Sequence, residues 1–157
     1  MIVHLLRHAK TETSSTSGKD YDRKLVAKGH EQCTQLKNII SVILGAETKV
    51  YCSSAQRTRE TAKLIFDSAK PISYFDELYL CGKKRLFDFI CEQNSEKEIL
   101  IIGHNFGVSE LASYFIGKQV VMKTGGFMSI EFPDFSIGEI SASTGILMSN
   151  HRCNIEY

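Results

Sequence analysis

Five residues in this chain are of types that could handle an anion together, if the fold brings them to one point. The first two close an apolar run, Ile2-Val3-His4-Leu5-Leu6-Arg7-His8, where a cation and an imidazole follow directly on branched residues. A run of this kind reads as a buried strand, and charge at its tip is costly unless something there needs it. Such a strand mounts Arg7 and His8 rigidly over the sheet edge, where open α/β sheets bind ligands. The third is Arg57, in Ser53-Ser54-Ala55-Gln56-Arg57-Thr58, at the expected start of a helix whose free amides attract anions. The fourth is His104, in Gly103-His104-Asn105, after another buried run, Glu98 to Gly103. The fifth is Arg23, beside Asp22, in the stretch between the first expected strand and the first expected helix. Guanidinium forks hold phosphoryl oxygens two at a time, and a neutral imidazole can attack phosphorus. Three arginines with two histidines therefore suit a phosphoryl group.

The elements that must position these residues alternate. Helices are expected at Gly29–Leu44 (Cys33, Leu36, Ile40 and Ile43 on one stripe, Gly45 as stop), Ala55–Ala69, Lys83–Gln93 and Phe106–Ile116. Thr58, Ala62 and Ile65 mark the inner face of the second, Leu86, Phe87 and Ile90 that of the third, and Val108, Leu111, Ala112 and Phe115 that of the fourth. Strands are expected at Lys49–Cys52, Ile72–Phe75 and Glu98–Gly103, with a closing antiparallel pair at Met128–Phe132 and Glu139–Ser143. Thr11–Lys19 reads as a flexible surface loop bordering the site, and Gln93–Lys97 as a short polar turn. This alternation implies an α/β fold, a three-layer αβα sandwich on a mostly parallel central sheet, with residues 1–157 as a single domain.

Composition narrows the function. At 157 residues and 43% hydrophobic the chain can bury a proper core, roughly 70% of its unfolded surface. With 19 basic against 18 acidic residues, no nucleic-acid or membrane partner is expected. Five cysteines, odd in number and without a C-x-x-C pair, argue against a disulfide scaffold or structural zinc and for reduced thiols in the cytoplasm. No apolar run approaches membrane-spanning length, and a first strand starting at residue 2 leaves no room for a targeting peptide.

In this order and spacing the segments resemble the histidine phosphatase (phosphoglycerate mutase-like) superfamily, and among its members the SixA-type phosphohistidine phosphatases most. The likeness rests on LLRHAK, DRKLVAKG, SSAQRTRETA, DELYLCG and IIGHN, and the ending Ser149–Asn154 is similar too. The resemblance implies that His8 is a nucleophile phosphorylated in passing and that Arg7, Arg57 and His104 complete the pocket. It also implies Arg23 as a further phosphate clamp and Glu77 as a possible acid, with no metal and no cofactor. The implied substrate is a phosphorylated protein, such as a phosphohistidine in a phosphorelay or phosphotransferase-type domain. A small phosphoester, or phosphate recognition without turnover, stays open.

The chain departs from the family pattern at Lys24 and Val26, which replace a common proline and threonine and leave the first helix without its usual cap. It also lacks the insertions that cover the pocket in mutases and sugar bisphosphatases. His4 reads as part of the strand, His30 as exposed on a first helical turn, and His151 as a surface residue or part of the family tail. Cys52 and Arg57 superficially resemble a cysteine-phosphatase signature, but four residues separate them where five are needed to wrap the anion.

Overall fold

The computed structural model describes residues 1–68, 70–133 and 136–153. Ten elements follow in chain order: β1 (Ile2–Arg7), α1 (Ala27–Ile43), β2 (Lys49–Ser53), α2 (Gln56–Phe66), β3 (Ile72–Phe75), α3 (Lys83–Glu92), β4 (Glu98–Gly103), α4 (Gly107–Ile116), β5 (Phe127–Glu131) and β6 (Ile146–His151). They form one six-stranded sheet in the order β3-β2-β4-β1-β5-β6. The pairs β3–β2, β2–β4 and β4–β1 are parallel, and β1–β5 and β5–β6 are antiparallel.

Strand alternation sorts the core into two layers. Val3, Leu5, Ile99, Ile101, Met128 and Ile130 pack with Phe89, Leu111 and Phe115 of α3 and α4. Leu6, Val50, Cys52, Leu100, Ile102 and Phe127 pack on the other face with Leu36, Ile40, Ala62 and Ile65 of α1 and α2. Burying a side chain of this size contributes about 1.5–3 kcal/mol, so β1 and β4, apolar on both faces, anchor the sheet. This is the expected three-layer αβα sandwich.

Two local expectations change. The stretch expected as a last strand, Glu139–Ser143, does not pair. Instead Ile137–Glu139 forms a 3-10 turn in which the Glu139 carboxylate accepts from the Ser136 N–H and hydroxyl. Ser143 takes a positive φ of 60° and donates its N–H to the Tyr114 carbonyl. The closing strand is β6, an edge strand whose Ile146, Leu147 and Met148 are exposed, so burial periodicity does not announce it. Second, α2 stops at Phe66, with Asp67 at a positive φ of 50°, and the expected helix end at Ala69 lies outside the described residues. The 11–19 loop lies largely at the surface, as expected, where the Ser15 hydroxyl donates to the Lys19 carbonyl at 2.6 Å and that of Ser17 to Asp22 Oδ2 at 2.6 Å.

The start of α1 follows the sequence departure. Val26 precedes its first turn and supplies no side-chain cap. Gly29 is held for another reason. A Cβ there would lie 2.2 Å from the Lys10 carbonyl oxygen, so only glycine lets α1 pack against the chain just beyond His8.

Candidate active site

The register of β1 against β4 sets Arg7 beside Gly103, so the two strands end level and the next residue of each is a histidine. The His8 N–H donates to the Gly103 carbonyl at 3.1 Å, and the two imidazole rings lie 5.2 Å apart with their planes tilted by 57°. On the far side the Gly125 N–H meets the carbonyls of Arg7 and His8 at 3.2 and 3.0 Å, pinning the turn out of β1.

His8 is buried, and its Nδ1–H donates to the Ala9 carbonyl at 2.9 Å. That bond fixes the tautomer and leaves the lone pair of Nε2 free. Burial, aided by the charges of Arg57, Arg7 and Arg23, pushes its pKa down to about 3. His104 is equally buried, and its Nε2 shares a 2.8 Å hydrogen bond with the Ser53 hydroxyl. Burial first, then His8 and Arg57, hold its pKa down at about 2. Both rings are therefore neutral at pH 7, the form in which an imidazole is nucleophilic.

These histidines line a cleft of about 270 Å³ together with Arg7, Arg23, Arg57 and Asn105. Arg7 donates from Nη1 to the Met122 carbonyl at 2.9 Å. Arg57, in the first turn of α2, is only 2% exposed. Four buried side-chain nitrogen or oxygen atoms lack a hydrogen-bond partner among the described residues, and three belong to this cleft: Arg7 Nε, Arg57 Nε and His104 Nδ1. Buried donors are nearly always satisfied, so three orphans around one neutral imidazole suit an anion. The bond from His104 Nε2 to Ser53 lets Nδ1 carry the proton and join the two guanidinium N–H groups as a donor.

Of the residues expected from sequence, Arg7, His8, Arg23, Arg57 and His104 come together and Glu77 does not. Glu77 is not among the cleft-lining residues, and its carboxylate accepts from Arg85 Nη2 at 2.6 Å. The segment that carries it lines the cleft with Leu80, and behind the lining the Tyr79 ring meets that of His104 edge-on at 5.5 Å. From α2 the lining includes Arg57. His4 lies in β1 between Ser129 and Glu98, His30 is exposed, and His151 sits on β6 against Phe127. Asn154, the last residue of the family-like tail, lies outside the described residues. All five cysteines are free, and burial drives the Cys52 thiol far above its ordinary range. Among the described residues, no group of three or more His, Cys, Asp or Glu is arranged to hold a metal ion.

The sequence reading missed Asp20. It is the one carboxylate among the cleft-lining residues, and it accepts from Arg23, Arg57 and Tyr79. The Tyr79 hydroxyl, followed by Arg23 and Arg57, holds its pKa well below the usual carboxylate range. The signal was present as an aspartate three residues before Arg23 on a tight turn, but without the fold it is one of many surface carboxylates.

Fold and site together define an α/β protein whose cleft, at the carboxyl edge of a parallel sheet, sets unpartnered donors beside an unprotonated histidine, an arrangement that suits a phosphoryl-like anion. Residues 3–79 match the sequence model of the histidine phosphatase superfamily (branch 1). Over that stretch, just under half of its length, the chain is similar to that superfamily. The fold is also that of solved structures over nearly its whole length. One, from Nakamurella multipartitia and described as a phosphohistidine phosphatase SixA, superposes with a TM-score of 0.82 at 21% identity, covering 96% of this chain and 95% of the other. The protein histidine phosphatase SixA complexed with tungstate gives 0.79 at 17% identity, covering 96% of each chain. A structure described as an α-ribazole-5'-P phosphatase, from Escherichia coli K-12, gives 0.71 at 18% identity, covering 94% of each. In sequence, an uncharacterised chloroplastic protein of Arabidopsis thaliana is 27% identical over 76% of this chain, which spans 61% of that relative's length.

Proposed function

We propose that this chain is a single-domain phosphatase that passes a phosphoryl group through His8, and that its substrate is phosphohistidine in a protein. The observation that carries the reading is the set of three unpartnered donors, Arg7 Nε, Arg57 Nε and His104 Nδ1, around a neutral His8 with a free Nε2. In the first step the Nε2 lone pair attacks phosphorus, a P–N bond forms, and the bond to the leaving group breaks. The arginines neutralise charge on the equatorial oxygens, which phosphoryl transfer needs more than covalent help. In the second step water attacks phosphorus, the His8–P bond breaks, and phosphate leaves with His8 neutral again.

The leaving group decides between substrates. Asp20 is held ionised and Glu77 is engaged with Arg85, so among the described residues no carboxylic acid of the cleft stands ready to protonate a departing alkoxide. An imidazole leaving group titrates near neutral pH and takes its proton from solvent, whereas an alkoxide needs one delivered. Phosphohistidine therefore fits better than an alkyl phosphate. A protein partner, such as a phosphorelay or phosphotransferase-type domain, is favoured by the rim: Leu80 borders the cleft and is 52% exposed, and Phe106, next to Asn105, is 78% exposed. The five free thiols favour a cytoplasmic setting.

The test is hydrolysis of a panel holding a phosphohistidine domain, p-nitrophenyl phosphate and alkyl phosphomonoesters, with wild type and His8→Ala. The expected result is preference for phosphohistidine and loss of all activity in the variant. Preference for alkyl esters would replace the substrate with a small phosphoester. Binding without hydrolysis of any member would leave a phosphate-recognition module.

A further inference from the structure

The mechanism gives Asp20 no part, yet three side chains, those of Arg23, Arg57 and Tyr79, converge on it. Its carboxylate spans two arginines, one oxygen to each: Arg23 Nη1 donates to Oδ1 at 2.8 Å and Arg57 Nη2 to Oδ2 at 2.9 Å. The Tyr79 hydroxyl donates to the same Oδ2 at 2.7 Å, and Arg57 Nη1 donates to the Asp20 carbonyl at 2.7 Å. The far end of the Arg57 guanidinium is thus held by one residue, through backbone and side chain together. What stays free is Nε, which is buried and without a partner. Arg23 is held as firmly, with Nε on the Glu12 carbonyl at 2.7 Å and Nη2 on the Thr11 hydroxyl at 2.7 Å.

We propose that Asp20 is a positioning residue for phosphoryl binding: it fixes Arg57 with its Nε edge toward the anion and holds Arg23 beside it. The proposal rests on the cleft being a phosphoryl site and deepens that reading by assigning what orients its arginines. Two like charges repel and a long side chain loses entropy when an anion orders it. A carboxylate already bridging the pair offsets the repulsion and has ordered the guanidinium before the ligand arrives. Tyr79 completes the device from the other wall, with its ring 5.7 Å from the Arg57 guanidinium carbon.

The experiment is calorimetric titration of the folded protein with inorganic phosphate, alongside kcat and KM on p-nitrophenyl phosphate. Asp20→Ala is expected to weaken phosphate binding by about tenfold or more, the scale of a lost charge-assisted hydrogen bond, and to raise KM to match. Asp20→Asn keeps one acceptor oxygen and is expected to fall between, and Tyr79→Phe to weaken binding less than Asp20→Ala. Thermal midpoints measured in parallel separate lost folding from lost positioning. If Asp20→Ala does not fold, Asp20→Asn and Tyr79→Phe decide, and wild-type phosphate affinity in both overturns the proposal. Phosphate binding in Asp20→Ala as tight as or tighter than in wild type also overturns it, because Asp20 would then compete with the anion for its arginines. A wild type that binds phosphate but hydrolyses nothing removes the phosphatase reading and leaves this one standing, while one that binds no phosphate overturns both.

Discussion

His8 and His104 face each other with ring centroids 5.2 Å apart, each one residue beyond the end of adjacent parallel strands. The spacing comes from backbone register and not from loop conformation, because Arg7 and Gly103 are paired in the sheet. One of the two, His8, has its Nδ1–H tied to the Ala9 carbonyl and its Nε2 free. The other, His104, has its Nε2 on Ser53 and its Nδ1 unpartnered. Opposite nitrogens are thus available on the two rings, which suits one to attack and the other to donate.

Replacing His8 tests that division directly. His8→Ala should lower kcat on p-nitrophenyl phosphate by at least about a thousandfold, the scale seen when a nucleophile is removed. Cys52→Ser should leave kcat per folded molecule within about twofold, since this thiol is fully buried and far from ionisation. Steady-state assays corrected for the folded fraction check both, and loss of turnover in the cysteine variant with retention in the histidine variant would reverse the assignment.

Arg57→Lys should cost nearly as much as removal. Lysine keeps the charge but has neither the Nε–H left free for the anion nor the fork that holds Asp20. Loss of one preorganised donor to a developing anion costs about a hundredfold or more in kcat. The variant should also melt lower, because the residue is 2% exposed and its contacts to Asp20 hold the 3-10 turn at Asp20–Asp22 over α2. Circular dichroism melts paired with kinetics separate the two effects.

Residues carried on regular elements were legible from the chain because periodicity locates such elements. Arg7, His8 and His104 follow apolar strands, and Arg57 follows a strand–turn–helix junction, so their meeting point came from the alternation alone. Asp20, Tyr79 and the engagement of Glu77 by Arg85 were not legible. Each depends on which way a short turn directs a side chain, and neighbouring residues of a turn are alternatives that composition does not rank. DELYLCG holds both Glu77 and Tyr79, and the 3-10 turn at Asp76–Leu78 directs the acid outward and the phenol in. The closing strand was missed for a related reason, since an edge strand with exposed apolar residues lacks a buried face to reveal its period.

Stability should fall between pH 6.5 and 4.5, ahead of ordinary acid denaturation. His8 and His104 titrate near 6.5 when unfolded but only at about 3 and about 2 when folded. In that window the unfolded chain binds protons that the folded one does not, so stability drops as pH falls. Each histidine adds a slope of up to about 1.4 kcal/mol per pH unit. Buried His4, also lowered by burial, acts in the same direction. Asp20 is depressed relative to its unfolded value, so its contribution is present above about pH 4 and is lost only below that range. Denaturant titrations at several pH values should show the slope, and His8→Ala should reduce it by about one proton. An unchanged slope in that variant would mean that His8 is not held neutral.

The pH dependence of turnover separates leaving-group protonation from acid catalysis. With His8 neutral down to about pH 3, the nucleophile is not lost on going from pH 7.5 to 6. For phosphohistidine, kcat/KM should hold or rise over that interval, because a growing share of the substrate imidazole is already protonated near its pKa. For an alkyl phosphate no such gain exists, and rates should stay low throughout without a proton donor. Glu77→Gln makes the comparison decisive. Glu77 is partly exposed and bonded to Arg85 rather than lining the cleft, so the variant should keep kcat/KM within about twofold on every substrate, as surface substitutions of this kind usually do. If Glu77→Gln instead slowed alkyl ester hydrolysis alone, the turn at Asp76–Leu78 would have to swing to bring that acid in. The leaving-group argument for phosphohistidine would then fail with it.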